Sequence, residues 1–507
     1  MDIPLIFKYP LFCTVSLAII PFSFWRFVML YVLCAVLLIV LLLVIALIRT
    51  LLAPVKAPVY APQEDTGRAL AYAETLASLV RHDTVSVSGD INPDKFRRFH
   101  DVLRKEFPLT FAACEFHDIN GGILMRWPGK SSDHPLCLLA HMDVVEANAD
   151  SWSVPPFSGV IRDGKVYGRG SMDNKCCLMA GFQAVEECIR EGIVPEQDVY
   201  LASSDCEETG GPVAEEIAAW LQEHSVRLAL LCDEGGGITE EPLAGLSGLY
   251  GMAGIYEKGF GNFVFTARSK GGHSSTPPKD TPIPRLASVI REIEDHPPFE
   301  RKITPELRET FKAFAPYCSF PLRFVMNNLW LFGPLFPYIF KHGEIAAMLG
   351  TTIVFTMQNG SNGANVIPQE ATATANLRYS IFEGEKACFE KLLAIASRHD
   401  VEVTVKDSRE ATTPVDLKGP GFRLVNEAMN EVYPGVPVVP YIVTGGTDAK
   451  SFEGVCDTVI RMSPMIYTKE CLATMHGIDE FLEYRCLPFA VDYFKYLICN
   501  SGKLSAS

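Results

Sequence analysis

The stretch Leu136–Asp173, LCLLAHMDVVEANADSWSVPPFSGVIRDGKVYGRGSMD, decides how the rest of the chain is read. Leu136 to Ala140 is a short apolar run, the pattern of a strand buried on both faces. It delivers His141 and Asp143 at its C-terminal end. Asp173 follows in a Gly-flanked turn, GRGSMDNK, before a helical pattern over Lys175–Arg190 that Gly192 can stop. Ligands on loops after strands are the usual way an α/β sheet assembles a metal site. Taken singly the signals are weak. A histidine at a strand end is more often structural, and Asp173 also fits a helix N-cap. An aspartate two residues after a histidine lies on the same face of an extended segment and can orient its ring.

The flanking sequence repeats the pattern. Thr66–Arg81 has helical spacing, with Leu70, Ala73, Leu76 and Leu79 on one side, and Pro93–Glu106 suggests another helix. Gly121–Trp127 reads as a strand. Asp198–Ser204 is a strand running into Asp205-Cys206-Glu207-Glu208, and Val213–His224 is helical. Leu228–Cys232 is a strand ending in Asp233-Glu234 and three glycines. Apolar strands interleaved with helices imply an α/β sheet. Three of them end in His, Asp or Glu, which independent solvated turns would not repeat. Adjacent carboxylates point in different directions, so one of Glu207 and Glu208 can hold a metal while the other faces its water.

Further on, Gly261–Lys270, Thr351–Met357, Thr372–Tyr379 and Val401–Lys406 read as strands, with helices over Pro284–Glu294 and Gly384–Arg398. The order β-α-β-β-α-β is a ferredoxin-like unit, inserted into the first from about 257 to 410. Inside it, Pro297–Gly350 is rich in Phe, Leu and Pro and too long for a bare loop. It is expected to be helical and to cover the site, contact the membrane, support dimerisation or simply add a packing layer. After Pro420 come a helix (Phe422–Val432) and a strand (Val438–Val443) that Pro440 assigns to an edge. Then follow Gly445-Gly446-Thr447-Asp448, a strand at Asp457–Arg461, His476 in an MHG loop and a helix over Tyr484–Cys499.

At 507 residues, two or three folding units are expected. A net charge of −15 without a dense Lys/Arg block argues against nucleic acid as partner. The 15 cysteines include no C-x-x-C pair, which excludes zinc-ribbon and thioredoxin-type sites and favours mostly free, buried thiols. Phe27–Ile48 is uncharged, bounded by Arg26 and Arg49, and longer than the ~20 residues a bilayer core requires. A signal peptide would have a shorter apolar region and a small-residue cleavage site, which Val44–Ile48 lacks. A membrane anchor over residues 1–53, with its span at about 27–48, is therefore preferred. Tyr9–Trp25 is a shorter apolar run broken by Pro21, either interfacial or a second span. Residues 54–65 read as a linker, with Pro54, Pro58 and Pro62 evenly spaced. Lys8 and Arg26 before the span balance Arg49 and Lys56 after it, so charge does not orient it. A single pass with the large domain extracytoplasmic is the reading adopted.

These residues together resemble the di-zinc aminoacylase and carboxypeptidase S superfamily. The motifs are HMDVV (141–145), W-x-x-PPF-x-G (152–159), DGKVYGRGSMDNK (163–175), EETGG (207–211), DEGGG (233–237), GGHSSTPP (271–278), NVIP (365–368), GGTDA (445–449) and MHG (475–477). The resemblance spans residues 66 to about 500 and is nearest to the carboxypeptidase S and N-acyl-amino-acid hydrolase branch. It implies an α/β, di-zinc exopeptidase-type catalytic domain (66–256 and 411–500) with an inserted ferredoxin-like lid (257–410, carrying the insertion 297–350), preceded by a transmembrane helix. It implies two Zn²⁺ per chain. His141 and Asp233 would bind one, Glu208 and His476 the other, and Asp173 would bridge both. Asp143 would orient His141, and Glu207 would be the general base. His273 on the lid would stabilise the oxyanion, and Asn365 and Arg378 would grip a substrate carboxylate. Cys206 stands where many members carry Asp. The expected activity is hydrolysis of an amide bond next to a free carboxylate, in N-acyl amino acids or peptide C-termini. In enzymes of this kind the lid often dimerises, so a homodimer through it is a further expectation. The competing reading is a non-catalytic membrane-anchored protein that binds acyl amino acids or peptides.

Overall fold

The computed structural model describes residues 22–59, 65–89 and 92–505. Most of the Tyr9–Trp25 run and residues 60–64 of the linker lie outside them. The chain divides into two compact units, Met1–Ala53 and Pro54–Ser507. In the first, the helix Phe22–Leu52 contains a stretch, Met29–Leu52, long and apolar enough to cross a membrane.

The second unit is built on a ten-stranded mixed sheet. At its centre Ser131–Leu139 lies parallel to Gln197–Ser203 on one side and to Leu230–Asp233 on the other, and Val459–Arg461 continues the parallel set. Leu136–Leu139 and all of Gln197–Ser203 are buried, because helices cover both faces of a parallel sheet. The loops bearing His141, Glu207, Glu208 and Glu234 all leave the C-terminal ends of these strands. The first helix, Thr66–Val80, is capped by Asp65, which accepts from Arg68 N–H. The Arg68 guanidinium reaches across to both oxygens of Asp492 at 2.8 Å, joining this helix to the last one, Leu487–Cys499. The cysteines among the described residues are free thiols, most of them buried.

A second, four-stranded antiparallel sheet runs in the order Thr352–Asn359, Glu370–Tyr379, Gly259–Arg268, Glu402–Arg409. Along Glu370–Tyr379 every second residue, from Ala371 to Tyr379, is buried. That face packs with the helices Pro282–Asp295 and Glu385–Ala396 in a core of its own, around Phe263, Phe265, Leu286, Leu377 and Leu392.

The insertion between these elements is helical, as its composition predicts, but of its buried residues only Phe299 joins the small core. Leu307, Phe311 and Phe314 of the helix Pro305–Phe314 belong to the core of the large sheet. This helix lies against Val438–Val443, which among the described residues pairs only with Leu249–Glu257 and is therefore an edge. Thr310 Oγ donates to the carbonyl of Pro440 at 2.6 Å. A proline on an edge strand removes one donor, and a helix laid over that edge protects the rest from pairing with another chain.

Candidate metal centre

Two groups of acid and imidazole side chains meet at Asp173. His141, Asp173 and Glu234 form one; Asp173, Glu208 and His476 form the other. Asp173 Oδ1 is 3.0 Å from His141 Nε2, and its Oδ2 is 3.1 Å from His476 Nε2. Glu234 Oε1 lies 3.2 Å from His141 Nε2, and Glu208 Oε2 lies 3.1 Å from His476 Nε2. Each group thus holds three donors, with Asp173 counted in both.

Asp143 works in two directions. His141 Nδ1 lies 3.0 Å from the Asp143 carbonyl and 3.3 Å from its Oδ1, which fixes the ring with Nε2 facing Asp173. The same carboxylate accepts the backbone N–H groups of Glu207 and Glu208 at 3.1 and 3.2 Å, and the Ser86 hydroxyl at 2.5 Å. One buried carboxylate therefore sets the ring and both glutamates.

The expected ligand Asp233 is not in either group. Its Oδ2 accepts the Ala449 N–H at 3.0 Å, on the side of the Gly445–Asp448 loop. Glu234 stands beside His141 instead. Asp233 is the last strand residue, paired with Arg461, and consecutive side chains alternate in direction. The chain then turns at Gly235, whose φ is +93°, and carries Glu234 inward.

His273, Asn365 and Arg378 lie on the small-sheet part of the chain, outside both groups. His273 and Asn365 are neighbours there. The two-residue strands Gly272–His273 and Val366–Ile367 pair, and Ser274 N–H donates to the Asn365 carbonyl at 3.0 Å. Arg378 is half-buried with its guanidinium 6.0 Å from the Phe260 ring, and among the described residues it forms no ion pair.

Sequence reasoning missed the groups that brace the site. Glu480 is fully buried and accepts from Gly170, Met172 and Asp173 N–H at 3.0, 2.9 and 3.1 Å. Its other oxygen takes Arg169 Nη1 at 2.5 Å, and Arg169 Nη2 donates to the Gly477 carbonyl at 2.8 Å. This pair ties the loop of Asp173 to the loop of His476. Buried Glu257 likewise holds Arg461 at 2.8 Å and the Thr447 N–H at 3.1 Å, anchoring the Gly445–Asp448 loop. Neither glutamate has a local sequence signal.

The electrostatics call for cations. Burial lowers His141, but Glu234, Asp143 and Asp173 outweigh it and hold the ring well above its usual range. Hydrogen bonds to Asp173 and Glu208 raise His476 to about 10. Burial raises Glu207 to about 8, helped by Asp448, Glu208 and Asp143 and opposed by His141. Burial raises Glu234 and takes Asp448 to about 7. Glu208 Oε1 is buried without any hydrogen-bond partner. An unpaired buried carboxylate oxygen is costly, and a divalent ion would satisfy it. The donor set, imidazole and carboxylate with three ligands per group, suits zinc with an open position.

Next to this centre a cleft of about 350 Å³ reaches Glu208 and His476. It shares Ser86, Val87, Ser88, Glu146 and Thr209 with a cavity of about 1010 Å³, also lined by Phe96, Phe157 and Val213.

A parallel-strand scaffold with paired acid–histidine groups at its C-terminal edge defines a metallohydrolase, and residues 137–500 match the model of peptidase family M20/M25/M40, so the chain belongs to that family of metallopeptidases and related hydrolases. It is 32% identical over 438 residues to an N-fatty-acyl-amino acid synthase/hydrolase PM20D1 of Xenopus tropicalis, covering 84% of this chain and 85% of the relative. It is 31% identical over 446 residues to a probable carboxypeptidase S-like 2 of Dictyostelium discoideum, covering 85% of each. Its fold is similar to that of an M20 family metallo-carboxypeptidase, Sso-CP2, from Sulfolobus solfataricus, with a TM-score of 0.63, 16% identity, and coverage of 84% of this chain and 98% of that one.

Proposed function

We propose that the chain is a membrane-anchored di-zinc amidohydrolase, cleaving an amide bond next to a free carboxylate in N-acyl amino acids or peptide C-termini. The observation that carries this is Asp173, whose two oxygens face two different histidines at 3.0 and 3.1 Å. His141, Glu234 and Asp173 would hold one zinc, and Glu208, His476 and Asp173 the other. Such a pair lowers the pKa of a shared water and polarises the scissile carbonyl.

The chain's own residues supply the rest. Glu207 takes a proton from the attacking water and passes it to the leaving nitrogen. Asp143 positions Glu207 through its backbone N–H. The four-stranded sheet with its two helices would be a ferredoxin-like lid, bringing His273 to the developing oxyanion and Asn365 to the substrate carboxylate. Arg378, without a carboxylate of its own, suits a bidentate contact to that group. The 1010 Å³ cavity offers room for the acyl or side-chain part. The unpaired edge Thr352–Asn359 is compatible with a homodimer through the lid. The helix Phe22–Leu52 would keep the catalytic domain on the extracytoplasmic side.

The test is hydrolysis of N-acyl amino acids and blocked dipeptides, with free or amidated carboxyl ends. Activity is expected only on the free acids, to vanish with a chelator and to return with zinc. Chelator-insensitive turnover, or equal cleavage of the amidated series, would sink the reading. The ligand assignment has its own check, zinc content by elemental analysis. Glu234→Gln is expected to lose one of the two zincs, while Asp233→Asn keeps both. The reverse pattern would restore Asp233 as the ligand.

A further inference from the structure

The linker that follows the apolar helix is fastened to the insertion almost at once. Lys56 N–H donates to the Pro316 carbonyl at 2.9 Å, and Lys56 Nζ lies 5.8 Å from the Tyr317 ring. Leu52, the end of the helix, is four residues earlier, so the chain between them reaches at most about 14 Å. Pro316, held by Lys56, is thus tethered to the apolar helix by only a few residues of chain.

From Pro316 an apolar surface runs outward. The turn Ala315–Tyr317 packs on the helix Phe320–Met326. Phe320 stacks on Phe324 at 6.4 Å, and Phe324 meets Phe332 at 5.4 Å. Around this string Phe320, Trp330, Leu335, Tyr338 and Ile339 are 42–76% exposed. The insertion is not short of core contacts, since Leu307, Phe311 and Phe336 are buried in the large core. These exposed aromatic and aliphatic side chains are additional to that core. Trp and Tyr beside aliphatic residues, with Arg323 stacked 5.8 Å from the Phe320 ring, is the composition of a membrane–water interface.

We propose that this face of the insertion rests in the headgroup region of the same bilayer that holds Met29–Leu52. The occupant is a lipid surface, because the tether fastens Pro316, the start of this segment, only a few residues of chain from the apolar helix. The inference rests on the anchor reading of the helix. It goes beyond that reading by assigning the membrane a second contact, 260 or more residues further along the chain.

The test uses the full chain reconstituted in phosphatidylcholine vesicles, with lipids brominated near the headgroup end of the acyl chain as quenchers. Trp25→Phe removes the tryptophan at the start of the apolar helix, leaving four of five. In that background bromination is expected to remove roughly a quarter of the emission, one tryptophan of the four. Adding Trp330→Phe should abolish the quenching while the Tm in detergent stays unchanged. Trp25→Phe protein that floats with the vesicles but is equally bright in both lipids overturns the docking surface and leaves the anchor standing. Protein that does not float overturns the anchor, and the surface with it.

Discussion

Glu207→Gln is expected to lower kcat by about 10²–10⁴-fold while leaving zinc content unchanged. The side chain is outside both acid–histidine groups, so its loss removes no ligand. Its backbone N–H, which is what Asp143 holds, survives the substitution. The same change should make the metal-free protein more stable above neutral pH. Burial raises the Glu207 carboxyl to about 8, whereas in the unfolded chain it ionises near 4.5. Between those values the native state binds the extra proton, so stability falls as pH rises through the window. Glutamine carries no proton to lose and removes that fall. Thermal melts of the chelated proteins at pH 5 and pH 8 should therefore converge for Glu207→Gln more than for the parent. A variant with parental kcat, or with zinc content reduced in step with activity, would remove Glu207 from the role of base.

Much of the centre was legible in the sequence because its parts are local. A buried apolar run followed by His-x-Asp, or by Glu-Glu, states both the strand and what stands at its end. His141 and Glu208 stand in such loops, Asp173 and His476 join them through the family resemblance, and successive members of the series His141–Asp173–His476–Glu208 lie 3.0 to 3.1 Å apart. The Asp233/Glu234 pair shows the limit of that reading. Which of two consecutive acids faces inward depends on where the strand ends, and a one-residue shift reverses it. Here the strand includes Asp233, and Glu234 is the acid that stands beside His141. The insertion shows a second limit. Its Phe, Leu and Pro content announced packed helices but not which core they join. The burial of Leu307, Phe311 and Phe314 and the contact of Thr310 with Pro440 assign them to the large sheet. Buried ion pairs were invisible altogether. Arg169–Glu480 and Glu257–Arg461 join residues 311 and 204 positions apart, and no local pattern marks any of the four.

The first of those pairs gives the largest expected effect on the fold of the site. Glu480→Ala removes one acceptor from three backbone N–H groups and strands the buried Arg169 guanidinium. Breaking a buried pair by deleting one partner costs about 3–5 kcal/mol, because the remaining charge has lost its counter-ion. The loss should also be read at the metal centre. The Gly170–Asp173 backbone hangs on Glu480, and Arg169 in turn holds the Gly477 carbonyl next to His476. Both acid–histidine groups share Asp173, so loosening that loop is expected to weaken both together rather than one. Glu480→Gln keeps an acceptor oxygen and should cost less than the alanine. Removing the stranded charge should rescue part of the loss, so the double variant Arg169→Met/Glu480→Ala is expected to melt higher than Glu480→Ala alone. Denaturation midpoints and zinc stoichiometry for these three variants and for Arg169→Met alone decide the matter. If Glu480→Ala melts with the parent, or if the two single losses simply add in the double variant, the pair is not what holds the Asp173 and His476 loops together.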